Sequence, residues 1–211
     1  MNQRLDVPLF PNSDLDVHCV QATLQMILKY YFPERDYSVA YLDRITHHQQ
    51  GGWTWDTSVF SFLINLGFEV VYIDDFSIRD YGERGADYLK TIWPKEKVEE
   101  QSLNADLDFE RRLAQDFMTG TKRFVQDCRK GGTDDVKNLF HQGYVVVPNI
   151  NAYTLDDEEG FCGHYVVVTS IGEEAISFND SGLPAIKDRQ TSWMKFEQAR
   201  MYNPALFAVR K

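Results

Sequence analysis

Cysteine is scarce in this chain: Cys19, Cys128 and Cys162 are three residues among 211. An odd count without C-x-x-C spacing argues against a disulfide framework and fits free thiols in a reducing compartment. Long apolar runs are missing as well. No stretch approaches the roughly 18 residues of a membrane-spanning helix, and Met1-Asn2-Gln3-Arg4-Leu5-Asp6-Val7-Pro8 has no apolar signal core. A cytoplasmic protein without membrane contact is expected. Positive charge is short: 22 Lys and Arg stand against 32 Asp and Glu, a net charge of -10. That balance lacks the basic footprint of non-specific nucleic-acid binding, so no nucleic-acid partner is expected. There is no H-x-x-x-H pair either. His18 beside Cys19 invites a metal reading through Cys19, Cys162 and His164, but without paired ligand spacing neither a metal site nor a cofactor is expected. Repeats and low-complexity tracts are absent, and nothing in the chain fixes an oligomeric state.

What is present is enough for a core, with 43% hydrophobic and 14% aromatic residues. Val20, Leu24, Ile27, Leu28 and Tyr31 form one apolar stripe, predicting a helix over about 17–31 with Asp14 or Asp16 as cap and Pro33 past its end. Helices are expected at about 38–45 and 56–66, the latter stopped by Gly67. A strand follows at 68–73. From 74 to 132 the sequence becomes densely charged. Leu103, Leu107, Leu113 and Phe117 suggest amphipathic helices, with 95–118 one long or broken helix. That region holds too few large apolar residues for a core of its own. It reads as a helical insertion within a single 1–211 domain. Thr133 then caps a helix to 141, and strands are expected at 144–147, 165–171 and 175–178. The last two form a hairpin turning at Gly172-Glu173-Glu174. A helix at 191–200 and a strand at 206–209 close the chain. Helices first and antiparallel strands second make an α+β fold, N-terminal helices packed on an antiparallel sheet.

Three residues in this order carry chemistry. Cys19 falls in the first turn of the first helix, where unpaired backbone N–H groups and the positive dipole end favour a thiolate. His164 opens the apolar strand His164-Tyr165-Val166-Val167-Val168, and Asn179-Asp180 end its hairpin partner. The hairpin brings strand start and strand end together, so Asn179 or Asp180 can accept from the imidazole and fix its tautomer. Taken alone, Cys19 would be a small apolar filler; its company makes it a candidate nucleophile. Trp53 and Trp55, near His47-His48 on a loop, either line a substrate cleft or pack on the first helix. Cys162 reads as a small residue allowing close packing, and Asp156-Asp157-Glu158-Glu159 as a solvated loop.

The segments CVQATLQMIL, YSVAYLDRITHHQQGGWTWDTSVFSFLINLGFEV and GHYVVVTSIGEEAISFND resemble the papain-like cysteine peptidases. Within them the chain is similar to stand-alone members of the bacteriocin leader-peptidase branch. The resemblance covers about 7–73 and 133–209 and leaves 74–132 unmatched. It implies a papain-like fold, Cys19 as nucleophile, His164 as general base and Asp180 as orienting carboxylate. Two departures stand out. The family's oxyanion Gln, six residues before the cysteine, is Ser13 here, which leaves Asn12 as the candidate amide. Where many relatives have Asp-Pro, this chain has Asn179-Asp180-Ser181-Gly182, so Asn179 is an alternative orienting residue.

The resulting expectation is a hydrolase that cleaves a peptide, isopeptide or amide bond through an acyl-enzyme on Cys19. Its implied partner is a peptide or amide-containing substrate. The alternatives are an acyl- or peptidyl-transferase using the same dyad and a peptidase-like domain that binds a peptide without cutting it.

Overall fold

A computed structural model describes residues 4–13, 17–49, 52–118 and 122–211. The two caps expected for the first helix, Asp14 and Asp16, and the loop residues Gln50 and Gly51 lie outside them.

The apolar stripe predicted from the sequence folds as α1 (Cys19–Tyr31), with Val20, Leu24, Ile27 and Leu28 buried along it. The helix begins two residues later than its periodicity suggested, so Cys19 is its first residue. Next come α2 (Val39–Ile45), capped by the Ser38 hydroxyl, and α3 (Asp56–Asn65). The chain leaves α3 through Gly67, whose φ of +92° suits a residue without a Cβ. Strand β1 (Glu69–Ile73) follows.

Residues 74–132 contain α4 (Ile78–Arg84), α5 (Ala86–Ile92), α6 (Lys95–Asn104) and α7 (Leu107–Met118). The expected 95–118 helix is therefore broken, and the Asp106 carboxylate accepts the Phe109 N–H to start its second half. The segment is not wholly helical, which corrects the sequence expectation. Its last piece, β2 (Phe124–Asp127), pairs in parallel with β1 and extends the sheet. The strand Phe-Val-Gln-Asp is only four residues long and half polar, so it reads as a loop until a neighbour supplies its hydrogen bonds.

The second half runs α8 (Thr133–His141), β3 (Val145–Asn151), α9 (Ala152–Leu155), β4 (Gly163–Ile171), β5 (Ala175–Asp180), β6 (Ile186–Ser192), α10 (Trp193–Arg200) and β7 (Leu206–Arg210). Thr133 is not the cap of α8. The cap is Gly132, whose N–H is accepted by the Asp135 carboxylate at 2.7 Å. Among the described residues the sheet order is β2-β1-β7-β3-β4-β5-β6, antiparallel except for β1 with β2. This is the expected α+β class.

Alternation along β3, β4 and β7 feeds two apolar clusters, one on each sheet face. Val145, Val147, Tyr165, Val167, Phe207 and Val209 pack with α1–α3, and Ile78, Tyr81, Tyr88, Leu89 and Ala114 from the 74–118 helices join the same cluster. Val146, Val166, Val168, Leu206 and Ala208 pack with α8 and α10 instead. The charged helices thus add side chains to the main core. They are further tied to it by Glu110 of α7, which accepts from the Thr57 hydroxyl and, at 3.0 Å, from the Ser58 N–H at the start of α3.

Candidate active site

The start of α1, the start of β4 and the end of β5 meet at one place. Helix α1 packs against β4. Residues 4–13 run beside the β4–β5 hairpin: the Leu5 N–H reaches the Thr169 carbonyl at 2.8 Å and the Asn12 N–H the Ser181 carbonyl at 2.7 Å. That segment delivers the chain to Cys19.

Across the hairpin Val166 lies opposite Asp180, which sets His164 diagonally across from the same carboxylate. The His164 Nε2–Asp180 Oδ1 distance is 2.9 Å, and both side chains are 5% exposed. The Cys19 side chain lies near enough to the ring to favour its protonated form. With Nε2 given to Asp180, Nδ1 is the nitrogen left for the sulfur.

Asp180 is itself held by more than the histidine. The Gly182 N–H donates to Oδ1 at 2.9 Å, and Arg189 Nη1 of β6 donates to Oδ2 at 2.9 Å. Arg189 Nη2 also reaches Asp156 at 2.5 Å. Gly182 leaves room as well as donating: a Cβ there would sit 3.1 Å from Asp180 Oδ1. Burial pulls the His164 imidazole down, but hydrogen bonds to Asp180 and then Cys19 outweigh it and raise the ring to about 10. Burial pushes the Asp180 carboxyl up, and the bonds from His164, Gly182 and Arg189 overcome that and hold it at about 2. The pair is therefore charged at neutral pH, and the buried charges are matched.

Asn179 is fully buried and faces elsewhere. Its amide donates to the Val7 carbonyl at 2.8 Å and its Oδ1 accepts the Asp188 N–H at 3.1 Å. Strand alternation explains this, since adjacent residues point to opposite faces. The sequence-level alternative of Asn179 as the imidazole's partner is corrected accordingly. Asn12 sits at the α1 start, its Oδ1 accepting the N–H groups of Ser13 at 2.8 Å and His18 at 2.7 Å. Ser13 Oγ meets His18 Nδ1 at 2.6 Å.

Trp55 does not line a cleft. Its ring packs among Phe76, Tyr81 and Trp93, and its Nε1 donates to Gln101 at 3.0 Å. Trp53 keeps 39% exposure, with its N–H on the Asn104 carbonyl. His47 stacks on Phe109 at 3.5 Å between ring centroids. The loop is covered on one side by the 74–118 helices, whose apolar rings spacing along the chain could not reveal, and on the other its Thr54 bonds to Gln21 of α1. Cys162 N–H donates to Asn151 at 2.8 Å in the loop before β4.

Two groups escaped the sequence reading. Arg189 lies on β6, a polar edge strand that resembles a loop in the sequence, so its reach to Asp180 gave no signal. Asp56, the first residue of α3, accepts from the Tyr165 hydroxyl at 2.9 Å and from Tyr72 at 3.3 Å. Tyr165 adjoins His164, so this buried carboxyl braces the strand that carries the imidazole. Burial raises Asp56 to about 7 against the pull of those hydroxyls. An acid raised on folding binds its proton more tightly in the native state. Its contribution is complete below the unfolded value of about 3.9 and is lost as pH rises through about 7. We expect Asp56→Asn to remove this slope. Urea unfolding across pH 4–8 should show the difference between wild type and variant changing by a few kcal/mol, because each tenfold gain in proton affinity is worth about 1.4 kcal/mol. Parallel curves would refute it.

No family model and no curated protein matches the chain. Among solved structures it is similar to the peptidase domain of Streptococcus ComA, a bifunctional ABC transporter involved in a quorum-sensing pathway. The TM-score is 0.51 at 16% sequence identity, over 95% of this chain and 96% of that one. The fold is that of a papain-like cysteine peptidase. At this identity the likeness concerns the fold. The peptidase fold extends over more of the chain than 7–73 and 133–209, where the sequence motifs fall. Among the described residues, no helix is long and apolar enough to cross a membrane.

Proposed function

We propose that the protein is a cysteine-dependent hydrolase of peptide or amide bonds, with Cys19, His164 and Asp180 as its working groups. The observation that supports this reading most is the shared imidazole. One buried ring meets a carboxylate at 2.9 Å, and the helix-start thiol is close enough to favour its charged form.

In the proposed reaction the Cys19 sulfur attacks the substrate carbonyl carbon, and the carbonyl electrons move onto oxygen. Cys19 lies in the first turn of α1, where helix geometry gives backbone N–H groups no intrahelical acceptor. Its N–H and the Asn12 carboxamide are the candidate donors to that oxyanion. As the carbon–nitrogen bond breaks, the imidazolium gives its proton to the leaving amine, and a thioester on Cys19 remains. The neutral imidazole then takes a proton from water as the water oxygen attacks the thioester, and the acid departs as the thiol is restored. Asp180 keeps Nε2 as the donor, so Nδ1 carries each proton. Arg189 and Gly182 hold the carboxylate still.

The test is site-resolved iodoacetamide labelling across pH, comparing wild type with His164→Ala. At pH 6 Cys19 should alkylate at least about tenfold faster than Cys128 and Cys162, and the advantage should vanish in the variant. Equal labelling of all three thiols would sink the catalytic reading and leave a peptide-binding domain. Product analysis with added amines then separates hydrolysis from acyl transfer.

A further inference from the structure

A second cluster of ligand-type side chains lies one residue from Cys19. His18, Asp43 of α2 and His48 of the α2–α3 loop each offer one atom, all within 4.8 Å of one another. His18 Nε2 and Asp43 Oδ1 are 3.4 Å apart. Ligand atoms around a tetrahedral ion with bonds of about 2.0–2.1 Å are spaced by about 3.3 Å. One edge of such a site is thus already set, and closing the others takes side-chain shifts on the order of 1 Å.

The remaining nitrogens are spoken for. His18 Nδ1 lies 2.6 Å from the Ser13 hydroxyl and His48 Nδ1 lies 2.9 Å from the Thr54 hydroxyl. When those hydroxyls accept from Nδ1–H, both Nε2 lone pairs turn toward Asp43. Thr54 is itself held by the Gln21 amide at 2.8 Å, so the second layer is built into α1. His48 Nε2 and Asp43 Oδ1 are both buried without a hydrogen-bond partner. Two such acceptors facing a third are costly to bury with nothing between them.

We propose that His18, Asp43 and His48 bind a divalent transition-metal ion of the zinc class. Two imidazoles and one carboxylate leave a fourth position for water, and outer hydroxyls fix both rings, as metal-ligating histidines require. The ion would join the α1 start to α2 and to the loop before α3, three pieces that no covalent cross-link connects. It stands apart from the His164–Asp180 contact and does not depend on the hydrolase reading.

Calorimetric titration with zinc chloride and optical titration with cobalt(II) test it on wild type, Cys19→Ala, His48→Ala and Asp43→Ala. One equivalent should bind to wild type and to Cys19→Ala alike, without a sulfur-to-cobalt charge-transfer band. His48→Ala and Asp43→Ala should lose saturable binding, while Ser13→Ala and Thr54→Val should weaken it about 10–100-fold. Each variant's thermal unfolding is measured in chelator first, and one that unfolds early is replaced by His48→Gln or Asp43→Asn. No saturable binding to wild type overturns the proposal. So does binding that survives loss of His48, or that disappears with Cys19, since the ion then sits elsewhere or on the thiol.

Discussion

Cys19→Ala should abolish turnover of any substrate the protein cleaves, and His164→Ala should lower kcat by at least about 10²–10⁴. Their structural costs should differ from their catalytic ones. Cys19 is only partly buried and sits at the first position of α1, so trimming it to alanine removes one sulfur and leaves helix and core intact. Its thermal midpoint should stay within a few degrees of wild type. His164 is 4% exposed, so His164→Ala leaves a cavity and removes one of the three groups bonded to Asp180, and should also destabilise the fold by about 1–3 kcal/mol. The two losses of activity should not add, because sulfur and imidazole act in the same step. Measurement of kcat for both single variants and the double variant decides this. A Cys19→Ala protein that still turns over would place the chemistry elsewhere.

Asp180→Asn should cost about 10²–10⁴ in kcat near neutral pH, and the loss should shrink as pH rises. The sign follows from what supports the imidazole. In the native protein the bonds to Asp180 and Cys19 outweigh burial and hold His164 at about 10. Without the carboxylate, burial is opposed only by the thiol contact, so the ring falls toward the neutral form. The variant then lacks, at neutral pH, the imidazolium that gives its proton to the leaving amine, whereas the wild type keeps it up to about pH 10. Loss should therefore be greatest near neutral pH and least above about pH 10, where the wild-type ring also gives up its proton. Asn179→Ala is the control one residue away. It removes bonds to the Val7 carbonyl and the Asp188 N–H, leaving the buried Val7 group unsatisfied at about 1–3 kcal/mol and the half-buried Asp188 N–H without its amide acceptor. Stability in urea should drop while kcat changes less than about threefold. Equal loss of activity in the two variants would return Asn179 to the site.

Much of this was legible in the chain. The α1 stripe, the glycine after α3, the hairpin at Gly172 and the order of Cys19, His164 and Asp180 all follow from local rules: period, capping and turn geometry act over a few residues. The hairpin also explains why the His164–Asp180 contact could be expected, since both residues lie on adjacent strands joined by one turn. The choice between Asn179 and Asp180 was not legible, because both end the same strand. Only the pairing register, Val166 opposite Asp180, decides which one faces the ring.

Other features had no local signature. Strand β2 is short and strand β6 is polar almost throughout, without the alternation of a half-buried strand, and both owe their conformation to a neighbour's backbone. Trp55 looked like a contact surface until Phe76, Tyr81 and Trp93 closed around it. His18, Asp43 and His48 come from three separate stretches, so no spacing rule could join them. The sequence by itself determined the class of fold and most of the helices, and singled out the candidate thiol and imidazole, because those depend on patterns within one or two elements. The tertiary structure alone decided which of Asn179 and Asp180 meets His164, how Arg189 holds that carboxylate, and which side chains gather beside Cys19. These depend on strand register and on packing between distant segments, and no short window of residues contains that information.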